Sequence, residues 1–284
     1  MPTIISLEQQ LINFNKDFAK PTKTEVVSRN QIVTYFQQKL EYYYHVKCDL
    51  FGSFLSKTAL PYSDIDLNIT MQNSNSSKDE IIALLSDIPS KLEGWEFNLL
   101  TDARIPVLTL SKQHFEVQLT CNTQGVSKSV FMLTFLEKFP NTRLIIQLIK
   151  HLLHEHQLDN VSSGGLNTYS IFVMMIALFH QFTDLDMYTS HSKLLIRFLE
   201  FYTCLDWNHS LITGRGVYFN KLQLDLYIED PMEYNRNLCN GSWQLSKVKQ
   251  ILVHALDCLN SNISHQYPSF LKLTQYQAVE QRGG

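Results

Sequence analysis

The chain has 284 residues, enough for one large domain or two ordinary ones, and 44% of them are apolar, which supports a packed core. Its 24 lysines and arginines stand against 27 acidic residues, a formal charge of −3. That balance excludes the strongly basic field of a self-sufficient nucleic-acid binder, so any polyanionic partner is expected to be held locally or delivered by another protein.

Residues 6–19 have helical apolar spacing, with Ser6 as N-cap. A second helix is predicted over 29–44, with Ile32, Val33, Phe36, Leu40 and Tyr43 on one side; the face of the run Tyr42-Tyr43-Tyr44 is expected in the core. A short apolar strand follows at 46–51 and another at 63–70. A polar loop at 71–78 leads into a helix at 79–88, stopped by Pro89. Residues 97–100, 106–110 and 115–120 read as strands, the last two as a hairpin around 111–114. From there the pattern is helical, at 126–139, 142–157, 168–182, 192–204 and 245–259. Five scattered cysteines without zinc-ligand spacing read as reduced thiols. No apolar run reaches membrane-spanning length, and a secretion signal is missing. A soluble, intracellular protein is expected, with the cytoplasm favoured and no membrane partner.

The chemistry is concentrated early. Leu50-Phe51-Gly52-Ser53 ends a strand, and ten residues later Asp64-Ile65-Asp66 opens the next. Residues i and i+2 of a strand share a face, so Asp64 and Asp66 are expected side by side, with Ile65 and Leu67 turned to the core. Two adjacent carboxylates need a cation or a shared proton, and hard oxygen ligands suit Mg²⁺ with substrate phosphates. Glu116, inside the apolar strand Phe115-Glu116-Val117, is a candidate third carboxylate for a two-metal site. Gly52 permits close backbone approach, and a turn or helix start there attracts phosphate oxygens, to which Ser53 adds a hydroxyl. His151, His154 and His156 lack the partners of a zinc site and are expected to be exposed.

These motifs resemble the signature of polymerase-β-like nucleotidyltransferases, most closely the branch of terminal uridylyltransferases and cytoplasmic-type poly(A) polymerases. Three later segments are similar to that branch: Leu148-Ile149-Lys150-His151, Gly165-Leu166-Asn167-Thr168-Tyr169-Ser170 and Tyr227-Ile228-Glu229-Asp230-Pro231-Met232-Glu233. The resemblance implies an α+β fold: a nucleotidyltransferase domain with a mixed sheet over 34–122, and a mostly helical domain from 1–33 and 123–284, with the nucleotide-recognition (PAP-associated) segment near 215–260 and a nucleotide cleft between the two. It implies Asp64, Asp66 and Glu116 as ligands of two Mg²⁺ or Mn²⁺ ions, and Gly52 and Ser53 on the triphosphate. Lys150 and His154 would reach the phosphates, Thr168 and Tyr169 would meet the nucleotide with Tyr169 stacked on the base, and Asn122 would contact the ribose. Glu233 and Arg236 would read the base. Two departures stand out: Glu116 replaces the usual aspartate, and His154 replaces a second lysine. The implied partners are a nucleoside triphosphate, a single-stranded RNA 3′ end and an RNA-binding adaptor protein. Addition of UTP to RNA is the favoured activity, with ATP addition the alternative. A catalytically inactive scaffold and a transferase for small molecules or tRNA ends are the other classes.

Overall fold

The structure is a computed structural model that describes residues 6–71, 76–121, 123–182, 188–219 and 225–264. It divides into two compact units, Pro21–Glu137 and Met1–Lys20 with Lys138–Gly284. The expected boundaries at 33/34 and 122/123 therefore move to 20/21 and 137/138. The physical reason for the first shift is a helix start hidden in polar sequence. Thr22 and Glu25 form a reciprocal capping box, so helix α2 spans Lys23–Tyr44 rather than beginning near residue 29.

The first unit is built on a five-stranded sheet: β1 (Lys47–Phe51), β2 (Ile65–Thr70), β3 (Glu96–Leu100), β4 (Val107–Lys112) and β5 (Phe115–Thr120), in the order β1-β2-β5-β4-β3. It is mixed, because β2 runs parallel to β5 and the other neighbours are antiparallel. Period-two alternation gives the sheet one apolar face. Cys48, Ile65, Leu67, Ile69, Leu108, Leu110, Val117 and Leu119 form a single core with Val33, Phe36 and Leu40 of α2 and Leu85 of helix α4 (Lys78–Asp87). The opposite face carries Asp66, Asn68, Glu116, Gln118 and Thr120. The tyrosine run meets the expectation only at Tyr44, which is half-buried against the sheet core and donates its hydroxyl to Asp87, while Tyr42 and Tyr43 are exposed.

The second unit holds helices α1 (Leu7–Phe14), α6 (Asn141–His154), α7 (Thr168–Gln181), α8 (His191–Cys204) and α9 (Leu245–Ser264). A π-type turn at Asn15–Ala19 extends α1. A small sheet with no counterpart in the sequence reading, β7-β6-β8, is formed by β6 (Ser210–Thr213), β7 (Gly216–Phe219) and β8 (Tyr227–Ile228). Four-residue and two-residue strands are too short to show alternation. Contrary to expectation, His151 is fully buried, its ring packed on Phe14 and Phe18. No helix among the described residues is long and apolar enough to cross a membrane.

Candidate active site

Phe51 ends β1 and Gly52 opens α3 (Gly52–Leu55), a single helical turn. Gly52 has φ +68, and a Cβ there would fall 1.8 Å from Asp66 Oδ2. Glycine is thus required twice over, for a left-handed backbone and for seating the Asp66 carboxylate on its α-carbon. The Gly52 amide donates to Ser129 Oγ at 2.7 Å, and that hydroxyl donates to the Gly125 carbonyl at 2.8 Å. Ser129 lies on helix α5 (Thr123–Lys138), whose Gly125 has no room for a side chain because the Phe51 ring lies against it. The Ser53 hydroxyl is buried with no hydrogen-bond partner among the described residues. The Ser53 carbonyl accepts from the amides of Thr58 and Ala59, and Leu60 and Ser63 bond to each other twice. The spacer is therefore a buried, internally bonded bridge from the Gly-Ser turn to Asp64.

Asp64 sits one residue ahead of β2 and Asp66 one residue inside it, with Ile65 fully buried between them. Both acids are half-buried. In the parallel register Ile65 pairs with Val117 and Asp66 with Gln118, so Glu116 shares the face of the two aspartates. It does not join them in ligand geometry. Glu116 is exposed and accepts from Gln118 Nε2 at 3.2 Å. Among the described residues no three His, Cys, Asp or Glu side chains converge closely enough to hold a metal ion. Glu116 thus lies on the face of Asp66, with its carboxylate bonded along its own strand to Gln118.

The remaining candidates belong to the other unit. Lys150 is buried on α6, and His154 Nδ1 lies 2.9 Å from Asp159 Oδ2. Burial is the largest influence on the Asp159 carboxyl and raises it, but the hydrogen bond and charge of His154, a backbone hydrogen bond and the Lys150 charge together hold it below the usual range. Asn167 caps α7 by accepting from the Ser170 amide, which sets Thr168 and Tyr169 in the first turn. Tyr169 donates its hydroxyl to Asp230 Oδ1 at 3.3 Å, and burial together with that carboxylate pushes the phenol far above its ordinary value. Asp230 is 1% exposed, and its Oδ1 also accepts from the Met232 amide at 3.0 Å. Arg236 Nη1 lies 4.0 Å from Asp230 Oδ2 and is ion-paired with Glu233. Tyr169, Glu233 and Arg236 are thus drawn together by a residue outside the expected set, Asp230. Its signal was present in the Glu-Asp-Pro motif, but an acid beside proline reads equally well as a turn. Asn122 lies outside the described residues.

Residues 7–137 match the family described as "Poly(A) RNA polymerase, mitochondrial-like, central palm domain". The chain is thus similar to polymerase-β-like terminal nucleotidyltransferases. Poly(A) RNA polymerase protein 2 of Saccharomyces cerevisiae is 24% identical over 87% of this chain and 47% of its own length. An inactive non-canonical poly(A) RNA polymerase, Trf4-2 of Drosophila melanogaster, is 27% identical over 71% of this chain and 52% of its own. The chain therefore spans about half the length of these relatives. The polymerase core of TRAMP, an RNA surveillance complex, superposes with a TM-score of 0.77 at 21% identity, covering 98% of this chain and 91% of that one. The Cid1 poly(U) polymerase bound to MgGTP does so with a TM-score of 0.78 at 20% identity, covering 94% and 97%. At such identities the superpositions establish the fold: a nucleotidyltransferase core with a mixed sheet and helices.

Members of this family are two-metal nucleotidyltransferases. The donor set fits a hard divalent cation at Asp64 and Asp66, two carboxylates that would be completed by phosphate oxygens. The buried, orphaned Ser53 hydroxyl of the neighbouring turn fits an oxyanion acceptor. A third carboxylate requires Glu116 to leave Gln118.

Proposed function

We propose that this chain adds ribonucleotides to RNA 3′ ends without a template, taking UTP in preference to ATP. The observation that carries the catalytic part is the seating of the Asp66 carboxylate on Gly52, which puts a metal ligand and a phosphate-binding turn in direct contact. Asp64 and Asp66 would hold the cation, which supplies charge neutralisation for an in-line phosphoryl displacement. Gly52 and Ser53 hold the triphosphate, Lys150 is the cation for its phosphates, and His154 is oriented by Asp159. Residues 21–137 form the catalytic half, and the unit with Tyr169 and Asp230 recognises the nucleotide. Tyr169 stacks on the base, its ring fixed from behind by the hydroxyl bond to Asp230.

Base choice falls to the Glu233–Arg236 pair, which sets an acceptor beside a donor. Uracil presents N3–H beside O4 and matches that order. Adenine presents N6–H beside N1 and matches it only if the ring is turned over. An unpaired buried group costs about 1–3 kcal/mol, so the disfavoured base is expected to be roughly 5- to 150-fold poorer. ATP is the second reading, favoured by the relatives named poly(A) polymerases. The test is incubation with a short single-stranded RNA, Mg²⁺ or Mn²⁺ and each nucleoside triphosphate in turn. UTP is expected to give the longest products, and Glu233→Ala or Arg236→Ala to narrow the UTP/ATP ratio. Equal or faster extension with ATP by the wild-type chain replaces the uridylyl reading with the adenylyl one. A chain whose formal charge is −3 also fits delivery of RNA by a basic adaptor protein.

A further inference from the structure

The stripe by which α2 packs on the sheet runs Arg29, Val33, Phe36, Leu40, and its first member is a charge. Arg29 is 5% exposed. Its Nη2 donates to the Pro61 carbonyl at 2.9 Å and the Leu60 carbonyl at 3.5 Å. Its guanidinium carbon lies 5.8 Å from the centre of the Phe54 ring, on the turn that carries Gly52 and Ser53. Nη1 is buried with no hydrogen-bond partner among the described residues. Burial works against the charge and lowers the guanidinium's pKa, and the carboxylates of Glu25 and Asp64 offset only part of that.

An apolar side chain at the head of an apolar stripe would pack without the desolvation cost of a partly satisfied guanidinium, so stability alone does not account for an arginine here. What the arginine does that leucine cannot is grip both ends of the spacer at once. It stacks on the residue after Ser53 and bonds to carbonyls three and four residues ahead of Asp64.

We propose that Arg29 is a positioning residue that clamps the 56–63 bridge and thereby fixes Asp64 against the Gly52-Ser53 turn. The assignment rests on the nucleotide-addition reading of the site. A displacement of about 1 Å at a reacting centre costs on the order of 100-fold in rate.

The test compares the full chain with Arg29→Met and Arg29→Lys by two readouts, both taken at a temperature where each variant is fully folded by circular dichroism. The first is hydrogen exchange of the ligand-free protein. Arg29→Met should raise exchange in peptides covering 56–64 by roughly tenfold or more while peptides from 107–120 stay unchanged. The second is nucleotide addition, where kcat should fall about 100-fold with KM for the triphosphate within about threefold. Arg29→Lys keeps the charge but loses the planar fork, and should fall between the two in both readouts. If Arg29→Met fails to fold, Arg29→Lys carries the same two comparisons. Wild-type exchange in 56–64 together with wild-type kcat in a folded variant overturns the proposal. If the wild-type chain adds no nucleotide, the functional reading fails, and the exchange measurement alone decides the clamp: unchanged exchange overturns it, faster exchange upholds it.

Discussion

Gly52 carries more constraint than any other residue of the candidate site. Gly52→Ala must place a Cβ on the Asp66 carboxylate while holding φ at +68, so it is expected to lower stability by more than about 1 kcal/mol and to abolish nucleotide addition. Thermal unfolding and RNA extension check both halves. His151 gives a prediction of a different kind. Burial pushes its imidazole down to about 4 from 6.5, with His154 adding to the effect. Between those values the unfolded chain binds a proton that the folded one refuses, so stability is complete above pH 6.5 and is lost as pH falls toward 4. The loss amounts to at most about 3 kcal/mol. His151→Leu should flatten that part of the stability–pH curve. Neither residue declared itself equally in the sequence. Gly52 was legible because a Gly-Ser turn and an Asp-x-Asp strand at fixed spacing constrain each other. His151 was misread because one histidine between a lysine and a leucine carries no mark of the two phenylalanines that reach it from α1 and the π-type turn that extends it.

At the scale of elements, α8 is held from a distance. Ser190 caps it locally, while the Glu8 carboxylate of α1 accepts from the Ser192 amide at 2.7 Å and from the ring and amide of His191. Burial alone would raise the Glu8 carboxyl, but these bonds outweigh it and hold it at about 2 against 4.5. The contribution is therefore present above pH 4.5 and fades as pH falls toward 2. Glu8→Ala should cost about 1 kcal/mol at neutral pH, read by chemical denaturation, and much less near pH 3. Strands and helices with strong periodicity were legible from sequence to within a few residues. The elements missed were those defined by polar or very short signals: the Thr22–Glu25 capping box and the strands β6 to β8. The Glu8 cap joins residues 183 positions apart and has no sequence signature.

For the molecule as a whole, the charge balance and the site must be read together. A net charge of −3 leaves few cations for an RNA backbone, so the isolated chain is expected to bind single-stranded RNA weakly, with a shallow dependence of affinity on salt. Filter binding across a salt series checks this. A steep slope would point to a local basic track that carries RNA without an adaptor. The central claim is that the Asp64–Asp66 pair, seated on the Gly-Ser turn, transfers nucleotides. The most direct measurement is extension of a labelled single-stranded RNA by the wild-type chain beside Asp64→Ala and Asp66→Ala, each shown by circular dichroism to be folded. Extension by the wild type is expected, with a loss of roughly 1,000-fold or more in either variant, the scale set by removing a principal charge-stabilising group. Undiminished extension by either folded variant, or none by the wild type with any nucleoside triphosphate, would contradict that claim.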